Sequence, residues 1–418
     1  MRCRRGWRRR RGTGPGPHTG ATGRPKPYNP GPRRGSHRWT GRLAARLGAT
    51  DRLVLQVYLL TRIGLWGTAY CTGWLFPENR DATEAPPVLS RWEHWDWQHF
   101  KRIAQDGYFP DSPGTSGRSD NREAFFPGFP LLLRTVHLLV PNWTVAGLLI
   151  SLVAGAVAML ALARIAQLTA GPAAGPRAVQ LLLCSPCAVF LAAGYGESLF
   201  LALALPAWLA AKRGRWPLAA ILAACATATR ISGLFLAAAL AVELLVARDG
   251  RRAWRSPAWL GLPALPALLY AWYLYTRTGD WMAWKHAQER GWKRTFHLPW
   301  EAWATTWNAS FDGHYATGYA LMWQAELLAM VVGVLLLGWL LRHRRWAEAT
   351  FTALSLWALG TSYWYMSIPR ATLLWWPLWT ALAAWSLSRT WVKNVYLSTI
   401  APLSTVFAVA FLSGRWAG

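Results

Sequence analysis

The sequence predicts an all-α polytopic membrane protein, with about eleven transmembrane helices and a large first extracytoplasmic loop that carries juxtamembrane helices. Hydrophobic residues make up 53% of the 418 positions, and charged residues only 15%. The apolar residues form runs between short arginine-rich breaks, and many runs are long enough to cross a hydrocarbon layer about 30 Å thick. A soluble chain of this length would be expected to form two or three domains instead.

The basic residues are concentrated in one tail. Residues 1–52 contain 14 Arg and one Lys against a single Asp, which accounts for +14 of the net charge of +26. Residues 1–50 are rich in Arg, Pro and Gly and lack apolar periodicity, so we predict a disordered cytoplasmic tail. Arginine clusters attract phosphate, but no aromatic stacking pattern accompanies them, and nucleic acid is not expected as a partner. A topology signal, or a translation start assigned too early, explains the tail better.

The predicted membrane helices are apolar runs bounded by Gly, Pro or basic residues. They cover residues 53–76, 143–163, 178–193, 195–211, 217–229, 233–247, 257–276, 318–341, 347–364, 371–388 and 395–412. The stretch 129–140 has only twelve residues and carries Arg134 and His137, so we predict a partial or re-entrant helix there.

The positive-inside rule gives these spans an orientation. Basic residues occupy five short breaks, at residues 164–177, 212–215, 248–255, 342–345 and 389–393. We place these breaks and the tail in the cytoplasm, so that residues 51–418 form one membrane-integral domain with outer loops at 77–124 and 277–317. The first outer loop holds nine of the 19 acidic residues against six basic ones, in agreement with this orientation. We expect a multi-pass protein of the cell membrane with an extracytoplasmic active site.

The first outer loop contains a candidate catalytic carboxylate. Residues 91–109 read RWEHWDWQHFKRIAQDGYF, and from Trp95 onward the apolar residues recur at helical spacing. This pattern predicts a short amphipathic helix on the membrane surface. Asp96 falls at the start of that helix, where a carboxylate is favoured as a cap. The alternative is a carboxylate held among aromatic rings at the membrane boundary and used as a base.

Three further charged residues are predicted to reach the same face. Glu197 lies near the outer end of an apolar span, where an unpaired ionisable group costs roughly 2.5 to 3.5 kcal/mol, so it needs a partner or a water-filled cavity. Arg230 lies between two predicted helices that are too short to cross comfortably, and Arg370 follows Ser367-Ile-Pro. A purely structural ion pair with Glu197 would by itself explain why Arg230 or Arg370 is present at this position.

One face therefore collects charged groups from segments that are distant in sequence, which is typical of an active or transport site. The residues are Asp96, Glu197, Arg230, His286 and Arg370. The sequence has no Gly-rich phosphate loop, no His/Cys metal spacing and no Asp-x-Asp motif, which disfavours a cytosolic nucleotide-sugar enzyme. No cofactor is indicated, although the sequence leaves a divalent metal open.

Several motifs resemble one family when they are read in order. Trp95-Asp96, His99-Phe100, Gly107-Tyr108 and Ala124-Phe-Phe-Pro127 are similar to the first outer loop of the PIG-V-type mannosyltransferases, which are membrane-integral GT-C glycosyltransferases. The resemblance covers about residues 53–412. Its later motifs are Glu197-Ser-Leu-Phe200, Ala228-Thr-Arg230 with Gly233, Gly279-Asp280 to Gln288 with Trp292, and Ser367 to Arg370 with Pro377.

The resemblance implies a GT-C-like fold and an inverting transfer of a sugar, usually mannose, on the outer face. The donor would be a polyprenyl-phosphate-linked sugar, and the acceptor a hydroxyl of a lipid or glycan. By the same resemblance Asp96 would be the catalytic base. The donor phosphate would be bound by Arg230, Arg370 and His286, and the acceptor-binding or supporting residues would be Glu197, His99 and Trp95.

The chain departs from the family pattern beside these charged groups. Family members commonly have Gly where this chain has Trp97, Pro-Asn where it has Ile231-Ser232, and an aromatic residue where it has Ala371. Two other classes of function remain open on the sequence alone. A transporter or lipid flippase would also place charges in the membrane, but the acidic loop after the first helix has no counterpart in the second half. A membrane scaffold would leave the charged cluster unexplained.

Overall fold

The computed structural model describes residues 48–76, 87–110, 120–246 and 257–418. These residues form helices joined by short turns and contain no strand, which confirms the all-α class. The predicted tail at 1–50 lies almost wholly outside the described residues. Parts of the predicted outer loop 77–124 and the basic break at 248–255 also lie outside them.

Eight α-helices form the described chain up to residue 246. They are α1 (Ala49–Leu75), α2 (Asp96–Asp106), α3 (Gly128–His137), α4 (Trp143–Ala170), α5 (Ala174–Leu183), α6 (Gly196–Lys212), α7 (Trp216–Thr229) and α8 (Ser232–Val246). Single 3-10 turns stand between some of them, at Ser90–Trp92, Arg122–Ala124 and Ala188–Leu191.

Ten more α-helices follow in residues 257–418. They are α9 (Pro257–Leu260), α10 (Leu265–Thr278), α11 (Ala283–Trp292), α12 (Pro299–Phe311), α13 (Thr317–Arg342), α14 (Trp346–Gly360), α15 (Ile368–Ala371), α16 (Trp376–Ser388), α17 (Thr390–Val395) and α18 (Ala401–Leu412). The 3-10 turns Leu262–Ala264 and Thr372–Leu374 interrupt this part, and a π-helical turn, Tyr396–Ile400, joins α17 to α18.

All eleven predicted apolar runs are largely helical, but three of them are broken. The run at 257–276 is interrupted by the 3-10 turn Leu262–Ala264. In the run at 178–193 the α-helix ends at Leu183, because Pro186 has no backbone N–H with which to continue the helical hydrogen bonds. The rest of this run forms the 3-10 turn Ala188–Leu191. The run at 371–388 starts as a 3-10 turn before α16 for a similar reason, since Pro377 suits only a first helical turn. The predicted outer loop 277–317 contains α11 and α12, which the apolar pattern does not predict.

Three helices are long and apolar enough to cross a membrane, in the part of the chain that is described. They are Trp143–Ala170, Thr317–Arg342 and the continuous helix Thr390–Leu412. The helices α7 and α8 have 14 and 15 residues, so each is only about 21 to 22 Å long and shorter than the hydrocarbon layer. Arg230 lies in the break between these two short helices.

The helix α4 lies at the centre of the fold. It packs against α5, α6 and α16, while α6 packs against α7 and α14 packs against α8. Small residues such as Ala154, Ala158 and Ala166 line the buried side of α4 and allow neighbouring backbones to approach closely. This packing brings the first turn of α6 next to the start of α2, which is where the charged residues lie.

Trp97 fills a space between two glycines at this junction. Its side chain is 1% exposed. A Cβ atom built on Gly147 would lie 2.4 Å from Trp97 Cζ3, and one built on Gly194 would lie 2.5 Å from the same atom. Real carbon atoms do not approach so closely, so the indole fits because neither neighbour has a side chain. The bulky residue that replaces the family's Gly after Trp-Asp is thus accommodated by Gly147 and Gly194.

We expect Gly147→Ala to lower the free energy of unfolding by about 1 to 3 kcal/mol, because the new methyl group overpacks against the indole. Trp97→Ala should cost about 3 to 5 kcal/mol by leaving a cavity. The double variant should be more stable than the sum of the two effects predicts, since the methyl group then enters the void. Chemical unfolding in detergent measures all three.

Gly64→Ala is the matched control, because nothing lies within 4 Å of a Cβ built on that helical glycine. It should be neutral or slightly stabilising, as alanine favours helix more than glycine does. Additive effects of Gly147→Ala and Trp97→Ala would show that the two residues do not share this space.

Candidate active site

Four charged side chains from different helices meet at one point. Asp96 begins α2, and Glu197 lies in the first turn of α6. Arg230 follows the last residue of α7, and Arg370 lies in the short helix α15. The structure therefore brings together four of the five charged residues that the sequence places on one face.

Arg370 binds both carboxylates. Its Nη1 donates to Asp96 Oδ2 at 2.6 Å, and its Nε donates to Glu197 Oε1 at 2.5 Å. The guanidinium carbon also lies 4.7 Å from the ring centroid of Phe190 and 4.8 Å from that of Tyr195. The charge-assisted hydrogen bonds and the contacts with aromatic faces together offset the free-energy cost of removing the guanidinium from water.

Glu197 connects the two arginines. It is fully buried, and its Oε1 accepts hydrogen bonds from Arg230 Nη1 and from Arg370 Nε. Its position in the first turn of α6 is favourable because the helix dipole stabilises negative charge there. The other oxygen, Oε2, is buried and has no hydrogen-bond partner in the described residues. The two carboxylates and two guanidinium groups of this cluster balance each other in charge.

The backbone is strained next to both Asp96 and Arg370. Trp95 has a φ of 54° and Ser367 has a φ of 67°, in a region that non-glycine residues rarely adopt. Each such residue costs on the order of 1 to 3 kcal/mol and persists only when its surroundings hold it. At Ser367 the support is visible, since Glu326 Oε1 accepts from Ser367 N and Oε2 accepts from Ile368 N, both at 2.7 Å.

Glu326 is therefore a supporting residue that is not among the site residues predicted from the sequence. It lies fully buried on α13, and its two hydrogen bonds fix the turn that precedes Arg370. The available signal is an acidic residue inside an apolar span, which is costly in lipid and so has a partner. Nothing in the sequence pattern identifies that partner as backbone N–H groups 41 and 42 residues away.

A cavity of about 360 Å³ opens beside the charged cluster. Asp96 and Arg370 supply its charged side chains, and Ser367 also lines it. The remaining wall is mainly aromatic, with nine rings from Trp95, Phe190, Tyr195, Trp292, Tyr315, Tyr319, Trp323, Trp364 and Trp416. Apolar walls with a few convergent polar groups are typical of ligand sites. Trp95 is 48% exposed, so its ring is accessible to a bound molecule.

The two histidines selected from the sequence lie in different surroundings. His99 stacks on Phe125 with a centroid distance of 4.8 Å, and burial lowers the pKa of His99, against the opposing effect of Asp96. His286 is about half exposed, and its Nδ1 lies 2.6 Å from Asp280 Oδ2. It is not among the residues that line the cavity, so the structure pairs it locally instead of bringing it to the arginines.

The described residues contain no group of three His, Cys, Asp or Glu side chains arranged to hold a metal ion. The expectation that the site works without a cofactor remains a prediction.

The fold and the site together define a polytopic membrane protein with a charged, aromatic-walled active-site candidate at one end of its helices. Residues 82–247 match the model of the mannosyltransferase (PIG-V) family. Asp96, Glu197 and Arg230 lie inside that range, and Arg370 lies outside it. The resemblance found from the motifs is thereby confirmed for this part of the chain.

Two relatives illustrate the extent of the match. The GPI alpha-1,6-mannosyltransferase 2 of Mus musculus is 33% identical over 177 residues, which are 40% of this chain and 34% of the relative. The protein of the same name from Homo sapiens is 37% identical over 158 residues, which are 35% of this chain and 30% of the relative. The matched segment thus spans about a third of the length of these curated relatives.

Solved structures overlap with more of the chain but less closely. ArnT from Cupriavidus metallidurans, bound to undecaprenyl phosphate, is 13% identical, with a TM-score of 0.44 over 88% of this chain and 77% of ArnT. The oligosaccharyltransferase AglB from Archaeoglobus fulgidus, in complex with an inhibitory peptide and a dolichol-phosphate, is 12% identical. Its TM-score is 0.44, over 86% of this chain and 56% of AglB. At these TM-scores the helices overlap only loosely.

We expect Glu197→Gln to lower the free energy of unfolding by about 3 to 5 kcal/mol, because the buried guanidinium of Arg370 and the partly exposed one of Arg230 then face a neutral amide. The matched control is Glu243→Gln, which breaks the more exposed ion pair with Lys212 and should cost less than about 1 kcal/mol. Chemical unfolding in detergent compares the two variants. Equal losses would mean that Glu197 does not stabilise the cluster.

Proposed function

We propose that this protein is a glycosyltransferase that moves a sugar, by its resemblance mannose, from a polyprenyl-phosphate donor to an acceptor hydroxyl with inversion. The observation that carries the proposal is the contact between Asp96 and Arg370 at the wall of the aromatic cavity. A general base and a cation suited to phosphate lie side by side there. The match of residues 82–247 to the mannosyltransferase (PIG-V) family supports the same reaction class.

Asp96 is the proposed base. Its Oδ2 is held by Arg370, so Oδ1 is the oxygen left for the acceptor hydroxyl in the described part of the site. As the acceptor oxygen attacks the sugar C1, its proton passes to Asp96. The bond between C1 and the phosphate oxygen breaks, and its electron pair stays on the phosphate. The acceptor joins C1 from the side opposite the phosphate, which inverts that carbon.

The leaving group requires positive charge. A sugar phosphodiester carries one negative charge, and the polyprenyl phosphate that departs carries up to two. Arg230 and Arg370 are proposed to donate hydrogen bonds to the phosphate oxygens, which become more favourable as this charge grows. The side chain of Arg230 is 28% exposed, so it can reach a ligand while it keeps its bond to Glu197.

The aromatic wall suits the remaining parts of the substrates. The flat faces of Trp and Tyr rings pack against the C–H groups of a sugar ring and against isoprenoid chains. Trp95 and His99 are proposed to support the acceptor, which is a lipid or a glycan. For His286 a role at the donor phosphate rests on the resemblance alone, since its ring is engaged by Asp280 in this structure.

We further propose that the site faces the outside of the cell and the tail faces the cytoplasm. Glu197 and Lys212 lie at opposite ends of α6, fifteen residues apart, which is about 22 Å along the axis. The basic residues after Lys212 therefore lie far from the charged cluster, and the positive-inside rule places them in the cytoplasm. The transporter or flippase alternative gains no support from the family match.

Asp96→Asn should reduce sugar transfer about 10²- to 10⁴-fold, because the amide cannot take the acceptor's proton. Transfer is measured in membranes with a radiolabelled polyprenyl-phosphate mannose, and in parallel with a nucleotide-sugar donor, which should give no product. Asp106→Asn is the matched control, since this half-exposed carboxylate lies at the other end of the same helix. Full activity of the Asp96→Asn enzyme would overturn the proposed role of this residue.

Glu326→Gln should lower kcat roughly 10-fold, because one of the two accepting oxygens becomes an NH2 donor that faces a backbone N–H of the turn before Arg370. The rate is expressed per folded enzyme, and the donor KM is determined alongside it. Glu348→Gln is the control, as Glu348 is also buried but pairs with Arg345 at the start of α14. A loss of folded protein with unchanged kcat would limit Glu326 to a structural role.

A further inference from the structure

A second cavity, of about 250 Å³, lies between α4, α6 and α7. The residues of α6 that line it begin at Pro206, whereas Glu197 of the charged cluster lies in the first turn of the same helix. Among the described residues, none lines both this cavity and the aromatic one. The second cavity is therefore a separate feature, towards the basic end of α6.

Three arginines line this second cavity. Arg164 comes from α4, and Arg213 and Arg215 come from the turn between α6 and α7. The other lining residues are all apolar, and no carboxylate of the described part of the chain is among them. Two of the apolar residues, Val157 and Leu218, are each 43% exposed. The cavity thus combines concentrated positive charge with an open apolar side.

The positive charge at this cavity is largely uncompensated within the described residues. Arg164 has a partner outside the cavity, since its Nη2 lies 3.4 Å from Asp51 Oδ2 and Asp51 is not a lining residue. The side chains of Arg213 and Arg215 have no ion-pair or hydrogen-bond partner in the described ranges. At least two guanidinium groups are therefore available to an anionic ligand.

The start of α7 adds to this positive field. Arg215 stands just before the first residue of α7, and its side chain does not cap the helix. The N-terminus of a helix carries a partial positive charge, because its first N–H groups have no partner within the helix. Leu218, in that first turn, lines the cavity. An anion bound there would interact with the arginines and with the helix end together.

We propose that this cavity binds the phosphate headgroup of an anionic membrane phospholipid. Arginine suits phosphate because its guanidinium can donate two parallel hydrogen bonds to the oxygens. The open apolar side at Val157 and Leu218 receives the start of an acyl chain, which a free phosphate ion lacks. Basic pockets between transmembrane helices are a recurrent type of site for lipid headgroups.

The proposed lipid is distinct from the substrates of the transfer reaction. In the orientation proposed above, the turn that carries Arg213 and Arg215 faces the cytoplasm, so the lipid belongs to the inner leaflet. The inference does not rest on the proposed reaction, which takes place at the other end of α6. A bound lipid would hold the ends of three helices together and stabilise the folded protein by mass action.

The test measures lipid binding to the full-length protein in detergent, by native mass spectrometry. Dioleoyl phosphatidylglycerol is the anionic probe, and dioleoyl phosphatidylcholine, with the same chains and no net charge, is the reference lipid. Inorganic phosphate is added as a competitor. The charge variant is Arg213→Gln with Arg215→Gln. Its matched control is Arg342→Gln with Arg344→Gln, which removes two charges with the same spacing from another basic break.

A second pair of variants changes the shape of the cavity and leaves its charge intact. Val157→Trp should fill the open apolar side. Val153→Trp is the matched control, because Val153 lies one turn earlier on α4, is 59% exposed and does not line the cavity. Both positions are exposed, so neither indole has to enter the core.

The charge variant should bind phosphatidylglycerol roughly 30-fold more weakly, the effect of two arginines beside an anionic lipid, and phosphatidylcholine as the wild type does. Val157→Trp should also weaken phosphatidylglycerol binding, because the acyl chain loses its place. Both control variants should bind the two lipids as the wild type does. Inorganic phosphate should compete only weakly, since it gains nothing from the apolar side.

Equal losses in the two double variants would overturn the inference, because the attraction would then be non-specific. Equal affinity of the wild type for the two lipids would overturn it too. Efficient displacement of phosphatidylglycerol by inorganic phosphate would show a site for free anions instead. If the charge variant does not fold, wild-type affinity of Val157→Trp for phosphatidylglycerol would be enough to reject the site. None of these results depends on whether the protein transfers mannose.

Discussion

The oxygen Oε1 of Glu197 accepts hydrogen bonds from Arg230 and Arg370, and the arrangement of the site depends on this shared contact. Arg370 could not remain buried in an apolar bundle without a carboxylate, and Glu197 could not remain fully buried without the two arginines. The contact joins α6, the break after α7 and the short helix α15. Asp96 then joins through Arg370, so that the carboxylate at the start of α2 is fixed relative to residues more than a hundred positions away.

The sequence predicts the apolar helices and most of the charged cluster, because both leave local signals in it. Long apolar runs are helical in a bilayer, since every backbone group must be satisfied within its own segment. Charges within or between such runs are costly, and this cost marks Glu197 and Arg230 as residues that need a partner. His286 shows the limit of that reasoning, because it lies in the predicted outer loop but its partner is Asp280, six residues earlier.

The parts that sequence could not supply depend on contacts between distant segments. The helices α11 and α12 have mixed polarity and lie in a predicted loop, so no apolar run marks them. Trp97 departs from the family pattern, and its indole fits only because Gly147 and Gly194 have no side chains. These three positions are far apart in sequence, so the sequence pattern does not reveal their contact.

The bond between Asp96 and Arg370 has a consequence for how the reaction cycle ends. This ion pair ties the surface helix α2 directly to α15, and it depends on the carboxylate being ionised. In the proposed reaction Asp96 finishes each turnover carrying a proton, and a neutral carboxyl group attracts a guanidinium far less. Formation of the bond between the acceptor and the sugar C1 would thus weaken the contact between α2 and α15 when the product has to leave. Loss of that proton to water would restore the ion pair between Asp96 and Arg370 before the next substrate binds.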